Sequence, residues 1–245
     1  MIKPVIKHWF DSSECDMDTQ YDIVALATVA STQDEARTRF ETTETPTLVV
    51  ADEQFAGRGR QGRDWTQPDR GMFASVALSS EWDLGDRPLI PLVAAVAMRT
   101  AVADSFGIEV GLRWPNDLMI DRDKVGGILV EVSGDVVVIG CGVNLWWDNP
   151  MEQAASLLEA DPGGDAVATL ARDWADVLIG HLELGSGRWP RAAYEAASVT
   201  LGREVLWGEG RGHAVAIASD GALVVERNEK RIELRAGEVH TRDSH

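Results

Sequence analysis

Hydrophobic positions in this chain form short runs separated by glycine, proline and polar residues, and this spacing predicts many short elements. In the first half, the runs predict a helix over Ala30–Phe40, strands over Thr47–Asp52 and Met72–Leu78, and a helix over Pro88–Phe106. Ser31 or Thr32 is the expected N-cap of the first helix, with Asp34 and Glu35 placed for a capping box. Residues 1–21 show no long amphipathic periodicity.

From Gly111 onward the pattern favours strands. Three apolar runs follow one another, GLRWPNDLMI, GGILVEVSG and DVVVIGCGVNL, and the last two are predicted to pair through a turn at residues 133–135. Residues 151–164 are predicted to form a loop. The remaining predicted elements are helices over Ala166–Leu184 and Trp189–Ser198, then strands over Glu204–Trp207, His213–Ser219, Ala222–Arg227 and Lys230–Leu234.

These elements predict an α+β fold with a mixed, mainly antiparallel sheet and flanking helices. The short strands after Thr200 predict a small SH3-like β-barrel at the C-terminus. We therefore expect a main domain over residues 1–198 and a small barrel domain over residues 199–245.

Composition and charge narrow the class of protein. The chain has 23 basic and 40 acidic residues, a net charge of −17, which argues against general affinity for nucleic acid. No secretory signal is evident, and no apolar run approaches the roughly 20 residues of a membrane helix, so a cytoplasmic location is expected. Cys15 and Cys141 do not suggest a disulfide framework, and Cys141 is expected to be a buried thiol.

A glycine- and arginine-rich loop, residues 57–63, is the first segment with candidate chemistry. Its three glycines let backbone N–H groups face an anion, and Arg58, Arg60 and Arg63 carry planar charged groups that suit carboxylate and phosphate. A solvated basic loop, or one paired to nearby acids such as Asp64, is the alternative. The anion-binding interpretation is only slightly favoured by the pattern alone.

Two further segments carry polar residues at strand ends. Lys124 precedes two glycines and an apolar strand, and Asn116 and Asp117 precede it; Asp117 is able to hold Mg²⁺. An ordinary turn and a hairpin lysine are the more common alternative for this segment taken alone. Asn144 follows Gly140-Cys141-Gly142-Val143 at a strand end, which is a weak signal by itself.

Taken together and in this order, the segments resemble the catalytic domain of the biotin–protein ligases. GRGRQGRDW is similar to that family's signature loop, RWPNDLMI to its second motif, KVGGILVE to its third and GVNL to its fourth, while AGEVHTR resembles the motif that closes the C-terminal barrel. The resemblance runs with gaps from near Thr28 to the end of the chain. One such motif is weak, but five in the right order and spacing are highly specific.

The resemblance implies an ATP-dependent ligase. In that family biotin and ATP form biotinyl-AMP and pyrophosphate, and a lysine of a carrier protein then takes the biotin and releases AMP. The implied small molecules are ATP, biotin and Mg²⁺, and the implied partner is the biotin carboxyl carrier domain of a carboxylase. We expect no nucleic-acid or membrane partner, and a monomer or a homodimer.

The resemblance also implies roles for individual residues, with Lys124 and Arg60 as the catalytic pair. The implied biotin-contacting positions are Ser31, Thr32, Gln54, Gly57, Arg58, Arg60, Gly62, Arg63, Trp65, Lys124 and Gly127. The implied nucleotide-contacting positions are Arg60, Arg63, Asn116, Asn144, Trp147 and Arg242, the last together with Glu238. Asp117 and Asn144 are the implied magnesium ligands.

The chain differs from the family pattern at a few positions, and two rival functions are compatible with a similar fold or ligand. Gln33 stands where many members carry asparagine, and Arg113 where many carry lysine. No DNA-binding domain is expected before the ligase part, which resembles the monofunctional type. A lipoate–protein ligase shares the fold and the adenylate chemistry. A non-catalytic biotin-binding regulatory protein would be expected to lack a charge-neutralising residue, yet Arg58, Arg60 and Lys124 are all present.

Overall fold

The computed structural model describes residues 21–208, 210–235, 237 and 239–242. Cys15 and Glu238 lie outside the described residues. The strands are β1 Asp22–Val29, β2 Thr47–Gln54, β3 Arg70–Ser79, β4 Gly111–Arg113, β5 Asp117–Ile120, β6 Asp123–Ser133, β7 Val136–Trp146, β8 Glu204–Trp207, β9 Gly210–Ile217, β10 Leu223–Arg227, β11 Lys230–Leu234 and β12 His240–Arg242. The α-helices are α1 Thr32–Thr43, α2 Ile90–Phe106, α3 Gly164–Glu183 and α4 Arg191–Ala197.

A seven-stranded sheet forms the centre of the main part, in the order β1-β2-β3-β7-β6-β5-β4. Only β1 and β2 pair in parallel among these described strands, and the other neighbours are antiparallel. The predicted hairpin of β6 and β7 is confirmed, with Ser133 paired to Val136 beside the turn. The predicted mixed and mainly antiparallel sheet is therefore present.

Helices cover both faces of this sheet. Helix α1 packs against β2, β3 and β7 on one face, while α2 and α3 pack against each other and against the opposite face. Along β2 the side chains alternate, because Val49 and Ala51 join the cluster under α1, whereas Leu48 and Val50 join the larger core. Coverage on both faces explains why the central strands are nearly continuous apolar runs.

Helix α2 belongs to a long apolar segment, which corrects the expectation that no apolar run approaches the length of a membrane helix. Residues Arg87–Phe106 form a segment of 20 residues with a mean hydropathy of 1.5, long and apolar enough to cross a membrane. Most of this apolar segment is buried inside the protein. A core helix has the same composition, so this single segment is weak evidence for a membrane span.

The second sheet has five strands in the order β11-β10-β9-β8-β12, and every neighbouring pair is antiparallel. Trp114 connects it to the main part, because its indole N–H donates to the Gly221 carbonyl at 3.0 Å and its backbone N–H donates to Thr200 Oγ1 at 2.9 Å. Closure of this sheet into an SH3-like barrel and a domain boundary after residue 198 stay predictions.

Three local predictions differ from the structure. Strand β1 was not predicted, although its apolar run IVALATV is a clear strand signal. The run GLRWPNDLMI is predicted as one segment, but it folds as a hairpin of β4 and β5 around the turn at residues 114–116. Ser31 is the N-cap of α1, yet its side chain makes no capping hydrogen bond, so the predicted capping box is not formed.

Candidate active site

A cavity of about 430 Å³ opens on the α1 face of the main sheet. This volume lies in the usual range of small-molecule sites. It lies where the N-terminus of α1, the glycine-arginine loop and the ends of β5, β6 and β7 meet. The predicted site residues that line it are Ser31, Thr32, Gln54, Arg58, Arg60, Arg63, Trp65, Asn116, Asp117, Lys124, Gly127, Asn144 and Trp147.

One end of the cavity is a polar slot with a defined hydrogen-bond direction. Gln54 Oε1 accepts from the backbone N–H of Thr32 at 2.8 Å and from its hydroxyl at 3.1 Å. The backbone donor fixes the amide orientation, so Gln54 Nε2 must point the other way. Since the Thr32 hydroxyl donates to Gln54, it accepts from Ser75 Oγ at 2.8 Å. The slot therefore presents two kinds of donor to a ligand, the Gln54 N–H groups and the Ser31 hydroxyl, which makes no capping hydrogen bond to α1.

Glycines on the sheet make room for the side chains of Trp65 and Gln33 beside the slot. A Cβ at Gly142 would stand 3.0 Å from the Trp65 indole, and one at Gly127 would stand 3.3 Å from it. A Cβ at Gly140 would meet the Gln33 side chain at 3.0 Å. These positions have no space for a larger side chain, which is the close approach that glycine in a strand permits.

Arg58 and Arg60 have different partners although they belong to one loop. Arg58 makes a two-pronged contact with Asp34, at 2.8 and 2.7 Å. Arg60 donates to Asn116 Oδ1 at 2.9 Å and to the Gly237 carbonyl at 3.1 Å. Both of these acceptor oxygens are neutral, so these two contacts do not cancel its charge.

Lys124 belongs to a cluster of ion pairs on the lining of the cavity. Its ammonium lies 2.6 Å from Asp117 Oδ1, and Arg113 lies 2.6 Å from Asp117 Oδ2. The Lys124 ammonium also lies 5.3 Å from the centre of the Trp65 ring, a cation–π distance. Burial raises the pKa of Asp117, but Lys124 and Arg113 outweigh burial and lower the pKa below its usual value. Within this cluster the two cations exceed the one carboxylate by one positive charge.

Two buried polar atoms on cavity-lining residues have no hydrogen-bond partner within the described part of the chain. They are Trp65 Nε1, a donor, and Asn144 Oδ1, an acceptor. Asn144 is held in place because its Nδ2 donates to the Ala155 carbonyl at 2.9 Å. Buried polar atoms are nearly always paired in proteins, so both atoms suggest that the site is built for a ligand.

Three predicted site residues do not line the cavity. Gly57 is buried under Gln54 and Trp65, while Gly62 adopts a positive φ of 72° in the loop turn, so both shape the loop. Arg242 has its backbone in β12, where it pairs with Glu204. The Arg242 side chain and all of Glu238 lie outside what the structure describes.

Several lining residues were not among the predicted site residues. Ser75 had a usable signal, because it is a polar residue inside the apolar run MFASVAL. Residues 151–154 were predicted as a loop, and they lie beside the start of β6, with Ala154 bridged to Lys124. Cys141 also lines the cavity as the expected buried thiol, and burial raises its pKa. No local pattern in the sequence could have placed the 151–154 segment there.

The predicted magnesium ligands are only partly suited to a metal ion. Both oxygens of Asp117 already accept from cations, so a divalent ion there would face Lys124 and Arg113 directly. Asn144 offers one unpaired amide oxygen. Among the described residues, no group of three or more His, Cys, Asp or Glu side chains is placed to hold a metal. Asp117 therefore does not fit a protein-built metal site.

Replacing Asp117 by asparagine is expected to lower the free energy of unfolding at pH 7 by about 1–2 kcal/mol, since the two cations are partly exposed and screened. The folded-state pKa of Asp117 is lowered, so its contribution is present above the ordinary carboxyl pKa and is lost as pH falls through the folded-state value. Guanidinium unfolding of both proteins should show a difference at pH 7 that shrinks below about pH 4.

The control for this prediction is Asp121→Asn, because Asp121 is exposed and close in sequence. Its replacement should change the free energy of unfolding little at either pH. A difference between parent and Asp117→Asn that is equal at both pH values would show that the ion cluster does not stabilise the fold through the carboxylate charge.

Comparison with solved structures defines the class of fold. The biotin protein ligase of Aquifex aeolicus in complex with biotin and ATP matches with a TM-score of 0.73 and 28% identity, over 91% of this chain and 99% of that one. A mutant of the same ligase in complex with biotin matches with a TM-score of 0.75 and 27% identity, over 92% and 100%. The fold is that of the biotin protein ligases.

Sequence comparison then assigns the family. The profile of the biotin/lipoate A/B protein ligase family matches residues 25–144. The biotin–[acetyl-CoA-carboxylase] ligase of Mycobacterium tuberculosis is 32% identical over 217 residues, which are 78% of this chain and 77% of that protein. The chain belongs to the biotin/lipoate A/B protein ligase family.

Some curated relatives match over a shorter part. The bifunctional ligase/repressor BirA of Bacillus subtilis is 40% identical over 105 residues, 40% of this chain. The matched part spans about a third of the length of that relative, 32%. The match therefore covers less than half of this chain and a smaller share of the longer relative.

Proposed function

We propose that this chain activates biotin with ATP to biotinyl-5′-AMP and then transfers biotin to a lysine of a biotin carboxyl carrier domain. The observation that carries the proposal is a polar slot that opens beside a wall of cations, in one cavity. The relatives named above as biotin ligases support the substrate class. The need for ATP and a carrier fits a cytoplasmic location.

The slot suits the ureido ring of biotin. The carbonyl of a cyclic urea accepts hydrogen bonds, and Gln54 Nε2 and the Ser31 hydroxyl are donors on one side of the slot. The Ser75–Thr32–Gln54 chain holds the amide in this orientation before a ligand arrives. Gly127 and Gly142 let the Trp65 indole lie flat against the sheet, so its ring is an apolar surface beside the slot for the ureido ring and the aliphatic chain.

The cations suit the first step. Biotin's carboxylate attacks the α-phosphate, a bond forms between the carboxylate oxygen and phosphorus, and pyrophosphate leaves. Both reactants are anions, so orientation and charge neutralisation are the main requirements. Arg60, Arg63 and Lys124 line the cavity and would meet these charges. Asn116 would hold Arg60 toward the phosphates through its present hydrogen bond.

The nucleotide would lie toward the other end of the cavity, where Asn144 and Trp147 line the wall. The unpaired Asn144 oxygen would accept from an amino group of the base. Because Asp117 does not fit a metal, we propose that Mg²⁺ enters bound to the triphosphate, as part of the substrate. The second step needs only a carrier amine that attacks the acyl carbon, with AMP as leaving group.

The test is a mixture of the protein with ATP, Mg²⁺ and either biotin or lipoate, followed by mass spectrometry of the small molecules and of an added carrier domain. Biotinyl-AMP, and one biotin on the carrier, are expected. Lipoyl-AMP alone would overturn the substrate and make the chain a lipoate–protein ligase. No adenylate from either acid, in folded protein, would favour a non-catalytic biotin-binding protein.

A further inference from the structure

The first turn of α1 holds polar side chains that reach three separate parts of the site. Thr32 contacts the slot through Gln54. Gln33 is 4% exposed, and its Nε2 donates to the Leu129 carbonyl of β6 at 3.0 Å. Asp34 reaches the glycine-arginine loop through Arg58. One rigid turn therefore contacts the slot, the sheet and the loop that covers them.

An alternating chain of charges joins the loop to this turn. Besides its two bonds to Asp34, Arg58 Nη2 lies 3.4 Å from Glu131 Oε1 on β6. The other oxygen of Glu131 accepts from Arg37 of α1 at 3.0 Å. Two acids and two arginines thus form one network across α1, β6 and the loop. Arg58 lowers the pKa of Asp34 by hydrogen bonding, so the carboxylate stays charged at neutral pH.

A single exposed ion pair contributes little to stability, but two-pronged geometry and a network are the recognised exceptions. The Asp34 side chain is 56% exposed and that of Arg58 is 36% exposed. We therefore expect their ion pairs to stabilise the loop only as strongly as an exposed network does, and less than a buried one. Arg58 faces two carboxylates, so its charge is already compensated. Arg60 has neutral partners in its two hydrogen bonds, so it remains the better receptor for an anion.

We propose that Asp34 and Glu131 are positioning residues that clamp the glycine-arginine loop over the slot through Arg58. Arg58 then acts as the anchor of the loop, while Arg60 and Arg63 meet the anions. The clamp itself is a property of the ligand-free chain. Only its effect on biotin binding rests on the proposed function.

The first test needs no ligand. Trypsin cleavage within residues 58–63, located by mass spectrometry, should be about fivefold faster in Asp34→Asn than in the parent. This is the effect expected when the loop loses one ion pair of an exposed network and opens more often. Asp34→Glu keeps the charge and should restore most of the protection. Glu35→Gln is the matched control, since it removes the same charge from the same turn, and among the described residues the Glu35 carboxylate pairs with Arg39 within α1.

Glu35→Gln should leave loop cleavage at the parent rate. Equal cleavage rates in Asp34→Asn and Glu35→Gln would overturn the clamp. Glu131→Gln should increase cleavage in the same direction as Asp34→Asn. Because this measurement uses protein without substrate, it remains decisive even if the chain forms no adenylate and the proposed function fails.

The second test is a double-mutant cycle on adenylate formation with Asp34→Asn, Arg58→Ala and the double variant. If Arg58 acts through Asp34, the single variants should each raise KM for biotin about fivefold with little change in kcat. The double variant should then be no worse than either, since coupled residues are not additive. A much larger loss of kcat in Arg58→Ala than in Asp34→Asn would show that Arg58 binds the reacting anions directly.

Discussion

Lys124→Ala is expected to fold normally and to form biotinyl-AMP about 10²–10³ times more slowly, the cost of removing one preorganised charge from a reacting site. The Lys124 ammonium lies on the cavity wall between Asp117 and the Trp65 ring. The fold should survive because Arg113 continues to pair with Asp117. Quenched-flow measurement of adenylate, with circular dichroism for folding, checks the prediction.

Lys230→Ala provides the matched control. Lys230 is an exposed lysine on β11, so its removal makes the same change in net charge away from the cavity. Adenylate formation at the parent rate in Lys124→Ala would eliminate the role assigned to this lysine. The same loss in Lys230→Ala would show that overall charge, and not the position of Lys124, controls the rate.

Trp114→Ala is expected to lower the free energy of unfolding by about 3–5 kcal/mol, as for other large aromatic side chains removed from a core. Trp114 is 3% exposed and lies in the turn between β4 and β5. Its removal would leave a cavity and an unpaired carbonyl on Gly221, at the contact between the main part and the C-terminal sheet. Guanidinium unfolding, with the slope recorded as well as the midpoint, measures the loss.

Two further variants separate packing from hydrogen bonding in this prediction. Trp114→Phe keeps most of the apolar volume but loses the hydrogen bond to Gly221. It is therefore expected to lower the free energy of unfolding by only about 1–2 kcal/mol. Trp207→Ala removes a half-buried tryptophan of the C-terminal sheet and should cost less than Trp114→Ala. A loss below about 1 kcal/mol in Trp114→Ala would contradict the view that this side chain joins the two sheets.

The Trp114 turn also connects stability to the site. Asn116 follows two residues later, and its Nδ2 donates to the Ile128 carbonyl at 2.7 Å while its Oδ1 accepts from Arg60. A displaced turn would move the acceptor that holds Arg60. We therefore expect adenylate formation to fall in Trp114→Ala even at temperatures where the protein remains folded.

Charge at the site is organised by pairing rather than by composition. The chain is strongly acidic, yet Arg60, Arg113 and Lys124 all line one cavity. Asp117 pairs with two of these cations, and within the described part of the chain the third donates to two neutral oxygens. The cavity can therefore be cationic in an acidic protein, because the sign of a site depends on its local groups.

The hydrophobic pattern predicted most elements because burial on one or both faces of a sheet or helix leaves a direct mark on the order of residues. Strands β8 and β11 were predicted with the bounds that the structure shows. The hairpin of β4 and β5 was not predicted as two strands, although a turn at Asn116 and Asp117 was the more common alternative for this segment. The apolar residues on both sides of the turn made the segment resemble one continuous run, and Trp114 is apolar because it serves the contact with the second sheet.

The sequence by itself determined the family and the mixed sheet, and it singled out many residues that line the cavity, because motifs and strand patterns are local. Only the tertiary structure decided how their side chains pair. Arg58 and Arg60 are equivalent in the sequence, but one faces Asp34 of α1 and the other faces Asn116 and Gly237. These partners are distant along the chain, and no local pattern specifies which groups meet when the helix, the loop and the two sheets come together.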